Sequence, residues 1–220
     1  MAELFLAEQR SSADDDVWKL VVIKRVLPHL ADDAHYARMF LDEARIASRF
    51  SHPNIVNVLD FGNIEGQHFL AMEYVAGETL RAVVDQCKAQ RRWVPMSVVI
   101  QILIAALDGL HYAHEYREGQ KDHKVIHRDV SPTNLMVTYQ GQVKLLDFGI
   151  ARAADRLQDH TESGVMKGKV AYVAPEQYHG KIIDRRADLF SLAAVAFELI
   201  TCKSLFRREN REATVRALLF

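Results

Sequence analysis

The sequence predicts an α+β fold in two lobes: a small, mainly antiparallel β lobe carrying one helix, then a larger helical lobe. Three observations predict it. Runs rich in β-branched residues, separated by turn signals, crowd the first third of the chain. Two long apolar stripes at helical spacing follow. The change from one pattern to the other falls near Val75–Leu80, which puts the β-rich lobe at 1–75 and the helical lobe at 76–220.

In the first lobe, "VWKLVVIK" (17–24), "IVNVLDFG" (55–62) and "HFLAMEYV" (68–75) read as strands, and "NIEG" between the last two reads as a turn. A helix is expected in "DDAHYARMFLDEARIASRF". Phe40, Ala44 and Ala47 form its stripe, Asp32 or Asp33 its cap, and His52-Pro53 its end. In the second lobe, 95–114 carries Val99, Ile102, Leu103, Ala106, Leu110 and Ala113 on one face, with Pro95 in the first turn. Residues 184–201 repeat this with Leu189, Leu192, Ala193, Ala196 and Ile200. Short strands "NLMV" and "QVKLLD" and a polar loop at 152–169 lie between these helices.

Composition narrows the function. The 220 residues are 49% hydrophobic and 26% charged, which suits a globular chain with a sizeable core. A formal net charge of -1 gives no general attraction to nucleic acid. The runs "VVIQILIAAL" and "SLAAVAFELI" are expected to be too short to span a bilayer, and no basic leader opens the chain. Cys87 and Cys202 stand far apart and fit a reduced, cytoplasmic setting. His111, His114 and His123 lack the spacing of a complete metal site, and are read as flanking the end of a helix.

The chemistry concentrates in "VIHRDVSPTNLMV" (125–137). Asp129 and Asn134 have the D-x-x-x-x-N spacing, and Asp147 of "DFG" follows after a strand. "APE" (174–176) comes later, while "VVIK" ends in Lys24 and "FLDEA" places Glu43 on the inward edge of a helix stripe. In this order the elements form the protein-kinase motif set, and nearly the whole chain resembles a eukaryotic-like bacterial serine/threonine protein kinase. The resemblance implies phosphoryl transfer from ATP to protein Ser/Thr hydroxyls in bacterial signalling, a reaction that needs charge neutralisation and positioning. It implies Asp129 as the base, Lys24 on the α/β-phosphates with Glu43 fixing it, and Asn134 and Asp147 as oxygen ligands of Mg²⁺.

By the same resemblance Met72 guards the back of an adenine pocket, backbone groups of Glu73 and Val75 pair with adenine, and Leu4, Val22 and Met136 sandwich the ring. Asp188 braces the catalytic loop, and His127 and Phe148 join a stacked column between the lobes. A phosphate on Thr161 or Ser163, bound by Arg128, is expected to regulate the site.

The chain departs from the family at Ser131, where Lys is usual, and at Lys169, where Thr is usual. We read this as an exchange in which Lys169 supplies the positive charge from the opposite side. Ala2 falls at the third glycine of the phosphate loop, so the first two glycines would precede Met1. The family's helical lobe runs past Phe220, so a fragment is expected. A pseudokinase scaffold and a small-molecule phosphotransferase are the competing functions. The intact Lys24, Glu43, Asp129, Asn134 and Asp147 weigh against the first, and "APE" against the second.

Overall fold

A computed structural model describes residues 2–10, 18–27, 34–119, 121–123, 125–148, 169–180 and 182–220. Strands β1 (Ala2–Arg10), β2 (Trp18–Val26), β3 (Val58–Ile64) and β4 (Gln67–Glu73) form an antiparallel sheet in the order β1-β2-β4-β3. β1 is a full nine-residue strand, longer than the tail of a phosphate loop expected from "MAEL". The "NIEG" turn works because Glu65 and Gly66 both take positive φ, 52° and 82°, the geometry that lets a two-residue hairpin match the strand twist.

Helix α1 (Ala34–Ala47) follows β2, with Phe40, Ala44 and Ala47 buried against Val58, Leu70 and Met72. It ends at Ala47, before His52-Pro53, and the expected caps Asp32 and Asp33 lie outside the described residues.

A second sheet stands beside the first. β5 (Gly77–Thr79) pairs with β8 (Leu135–Thr138), which pairs with β9 (Val143–Leu145). A short ladder, β6 (Arg117–Glu118) with β7 (Lys121–Asp122), sits apart. α2 (Leu80–Ala89) begins where Thr79 caps it by accepting from Ala82 N. α3 (Met96–His114) has Pro95 as its N-cap, one place before the first turn. The remaining helices are α4 (Pro175–Tyr178), α5 (Arg186–Thr201) and α6 (Arg211–Leu219).

α3 and α5 form the centre of the larger core, together with Leu80, Val84, Leu135 and Leu145. Phe50 and Ile55, from the β-rich part of the chain, join this larger core, and Leu146 packs against the smaller one.

Two expectations about the helices change. α3 is 19 residues long and apolar enough, by length and composition, to cross a membrane, although its Val99, Ile102, Ala106, Leu110 and Ala113 pack into the core. In α5 the inward face is Ala187, Asp188, Ser191, Leu192, Ala194, Val195, Glu198 and Leu199, while Leu189 and Ile200 are 44% and 41% exposed. The inward face carries hydrogen-bonded polar groups, so apolar periodicity alone sets the stripe off that face, and only Leu192 of the expected residues is common to both.

Gly77 is required by space. A Cβ there would meet Val137 O at 2.2 Å and Thr138 Cα at 2.6 Å, both backbone atoms of β8. Gly77→Ala is expected to destabilise by about 1–3 kcal/mol, the usual range for overpacking. That lowers Tm by about 2–4 °C per kcal/mol at this chain length. A melting curve checks it, and an unchanged Tm would show that the β5–β8 approach is not tight.

Candidate active site

The polar cluster lies where the two cores meet. In β2, side chains two apart share a face, so Val22 and Lys24 point the same way. Lys24 pairs in register with Leu4 on β1 and Leu70 on β4, and Val22 with Leu6 and Met72. Lys24 Nζ reaches Asp147 Oδ1 at 3.0 Å. Burial alone would push the Asp147 carboxyl up. The charge and hydrogen bond of Lys24, helped by Lys169 and His127, outweigh it and hold Asp147 below the usual carboxylate range.

Glu43 lies on α1 as expected, but its side chain is outside the described residues, and so are Thr161, Ser163 and nearly all of the loop at 152–169.

The segment 127–132 is held from three sides. Asp188, fully buried on α5, accepts from His127 N at 2.8 Å, Arg128 N at 2.7 Å and His114 Nε2 at 2.7 Å. Pro132 O accepts from Arg81 N on α2 at 2.9 Å. Arg128 O accepts from Gln177 Nε2 on α4 at 3.2 Å.

These contacts hold Arg128 at φ 65°, and Asp147 sits at φ 46°. Both are left-handed conformations that cost non-glycine residues energy and gather at functional sites.

His127 is fully buried, and its Nε2–H donates to Leu146 O at 2.9 Å while Nδ1 accepts from Asp129 N at 3.3 Å. Burial pushes its imidazole below the usual range, against the pull of Asp188 and Asp129. Its ring lies 4.5 Å from that of Phe148, which lies 5.0 Å from Phe50, so a continuous ring column crosses between the lobes.

Asn134 Nδ2 donates to Asp129 O at 2.9 Å and to Asp129 Oδ2 at 2.8 Å. Leu146 N donates to Asn134 O at 2.9 Å, which sets Asp147 beside the loop. Lys169 Nζ reaches Asp129 Oδ2 at 2.7 Å and Asn134 Oδ1 at 3.3 Å. Ser131 is 2% exposed, and its hydroxyl pairs with Thr133 Oγ1 at 3.0 Å. Lys169 therefore meets the expected base, while Ser131 turns to a neighbour within the loop.

The residues expected around a nucleobase are spread over both sheets. Met72 is buried and Val22 half-buried, and the two are neighbours in register. Met136 is half-buried on β8, and Val75 packs at the edge of the smaller core. Leu4 is 63% exposed. Glu73 N–H donates to Asn57 O at 2.9 Å, which leaves the Glu73 carbonyl as its candidate group for a base edge.

Three contacts escape the sequence reading. Lys144 Nζ, 8% exposed as a residue, pairs with Glu73 Oε1 at 2.6 Å. Buried Glu198 accepts from Arg81 Nη1 at 2.8 Å and from the Tyr172 hydroxyl. Arg81 Nη2 donates to that same hydroxyl at 2.5 Å. This second cluster anchors the turn after Lys169. Burial would push the Glu198 carboxyl up, but the hydrogen bonds from Tyr172 and Arg81 hold it below the usual range. His114 on Asp188 is the third. Its only sequence signal is its place at the end of α3, and among the described residues no His, Cys, Asp and Glu cluster could hold a metal.

The fold and this seam between the lobes define the protein-kinase class. Residues 10–219 match the protein kinase domain family, and the chain belongs to it. It is 48% identical over 220 residues to the tyrosine-protein kinase MasK of Myxococcus xanthus, covering 100% of this chain and 34% of that protein. It is 36% identical over 203 residues to the serine/threonine-protein kinase PknB of Mycolicibacterium smegmatis, covering 89% of this chain and 30% of that one. The solved kinase domain of Mycobacterium tuberculosis PknI superposes with a TM-score of 0.69 at 30% identity, covering 96% of this chain and 72% of that one. The chain thus spans about a third of the length of these curated relatives.

Proposed function

We propose that the protein is an ATP- and Mg²⁺-dependent kinase that phosphorylates Ser and Thr hydroxyls of proteins, acting in the cytoplasm in bacterial signalling. The observation that supports it most is the convergence of Lys24 on Asp147 at 3.0 Å and of Lys169 and Asn134 on Asp129 at 2.7 and 2.8 Å.

In this reading the substrate hydroxyl oxygen forms a bond to the γ-phosphorus as the bond to the β,γ-bridging oxygen breaks. The hydroxyl proton passes to Asp129, and ADP leaves. Lys24, which meets Asp147 at 3.0 Å, holds the α/β-phosphates, and Glu43 on α1 is the residue that the kinase motif set assigns to fix it. Asn134 and Asp147 present amide and carboxylate oxygens, the donors that a small hard cation prefers, so the residues fit Mg²⁺. When bound, the metal neutralises phosphate charge. Lys169 adds positive charge beside Asp129. Met72, Val22, Val75, Met136, Leu4 and the Glu73 carbonyl take the adenine.

Relatives named for tyrosine and for serine/threonine both match, so the phosphorylated residue is the direct chemical readout. Incubation with labelled ATP, acid hydrolysis and phosphoamino-acid separation tests it. Phosphoserine or phosphothreonine is expected, and phosphotyrosine alone would overturn the Ser/Thr assignment.

A further inference from the structure

Asn134 can present only one oxygen from its side chain. Its Nδ2 is committed to Asp129 O and Oδ2 at 2.9 and 2.8 Å, which fixes the amide with Oδ1 turned to Lys169 Nζ at 3.3 Å. The same ammonium lies 2.7 Å from Asp129 Oδ2. Lys169 and Asp129 side chains are 22% and 12% exposed, so water screens this contact only in part. A lysine ammonium therefore sits within 3.3 Å of the amide oxygen assigned above to the metal.

We infer that Lys169 is a built-in cation that occupies the metal position on Asn134 until Mg²⁺ displaces it, so that metal loading competes with this one side chain. The inference rests on the nucleotide-binding reading above.

Two cations cannot share one amide oxygen without repulsion over a few ångströms. The flexible four-carbon stem of lysine lets its ammonium swing away from Asn134 while it stays on Asp129. The backbone behind it does not move as easily. Lys169 opens the turn Val170–Tyr172, and Tyr172 is tied to Glu198 and Arg81. The lysine is thus aimed at the site from a fixed base. The arrangement raises the Mg²⁺ concentration needed for nucleotide binding, and it keeps the base and the amide in place before the metal arrives.

The test measures the Mg²⁺ midpoint for binding of a fluorescent, non-hydrolysable ATP analogue. The purified protein is compared with Lys169→Met, Lys169→Thr and Lys169→Arg, each first checked for a cooperative melt. Direct binding of Mn²⁺ alone, read from its electron paramagnetic resonance signal, is measured on the same set. The inference predicts midpoints lower by about tenfold in the Met and Thr variants, near the wild type in the Arg variant, with tighter Mn²⁺ binding in parallel. It also predicts slower phosphoryl transfer in Met and Thr despite tighter metal binding, a split that a merely structural lysine would not give. Equal midpoints in wild type and in whichever of Met or Thr folds would overturn the competition while nucleotide binding stands. Loss of metal-linked nucleotide binding in every protein, wild type included, would overturn the kinase reading and the inference with it.

Discussion

Asp129→Asn is expected to lower phosphoryl transfer by about 10²–10⁴-fold, the usual worth of a positioned general base, while the melting temperature changes little. The fold should tolerate it because an amide oxygen at the same place can still accept from Asn134 Nδ2 and Lys169 Nζ, which lie 2.8 and 2.7 Å from the native carboxylate oxygen. What the amide loses is the capacity to take the proton of the incoming hydroxyl. Steady-state rates at saturating ATP, with melting curves alongside, separate these effects. A rate within about tenfold of wild type would mean that Asp129 is not the base.

The second large effect lies behind the site. Asp188→Ala removes the acceptor of His127 N, Arg128 N and His114 Nε2, at 2.8, 2.7 and 2.7 Å. Each buried donor left without a partner costs about 1–3 kcal/mol, so the sum is roughly 3–5 kcal/mol, allowing for partial relaxation. For a chain of this length that corresponds to a fall in Tm on the order of 10 °C. The loop should also relax, because Asp188 holds Arg128 in its left-handed conformation, φ 65°. Transfer should fall in molecules that remain folded. Asp188→Asn keeps one acceptor oxygen and should lie between. An Ala variant that melts within about 2 °C of wild type would show that this carboxylate does not brace the loop.

The parts of this molecule that were readable from sequence are those written in short-range spacing. The five spacing of Asp129 and Asn134 survives as a direct hydrogen bond, and Lys24 and Asp147 meet across 123 residues because each sits in its own recognisable motif. The strands were legible where β-branched residues and a glycine turn agree, as at "NIEG".

What was not legible depends on pairing across the chain with no motif at either end. Arg81 and Glu198 are 117 residues apart, and Lys144 and Glu73 are 71 apart. A charged residue in an apolar run looks the same from sequence whether it faces water or a buried partner. This ambiguity also misplaced the stripe of α5, where Asp188, Ser191 and Glu198 lie on the inward face and Leu189 and Ile200 are exposed. β1 was underread because its alternation is weak. Of its residues, most are exposed and none is fully buried.

In the proposed function the seam between the two lobes carries out metal-dependent phosphoryl transfer. Its most direct test is the incorporation of label from γ-labelled ATP into protein, with Mg²⁺ and with the metal chelated, by the purified wild type and by Asp147→Asn. Label is expected in wild type only when Mg²⁺ is present, with near-complete loss in Asp147→Asn, which removes the carboxylate that meets Lys24. Nucleotide binding by the wild type without any metal-dependent incorporation, into itself or a generic protein acceptor, would contradict it and make the site a binding module.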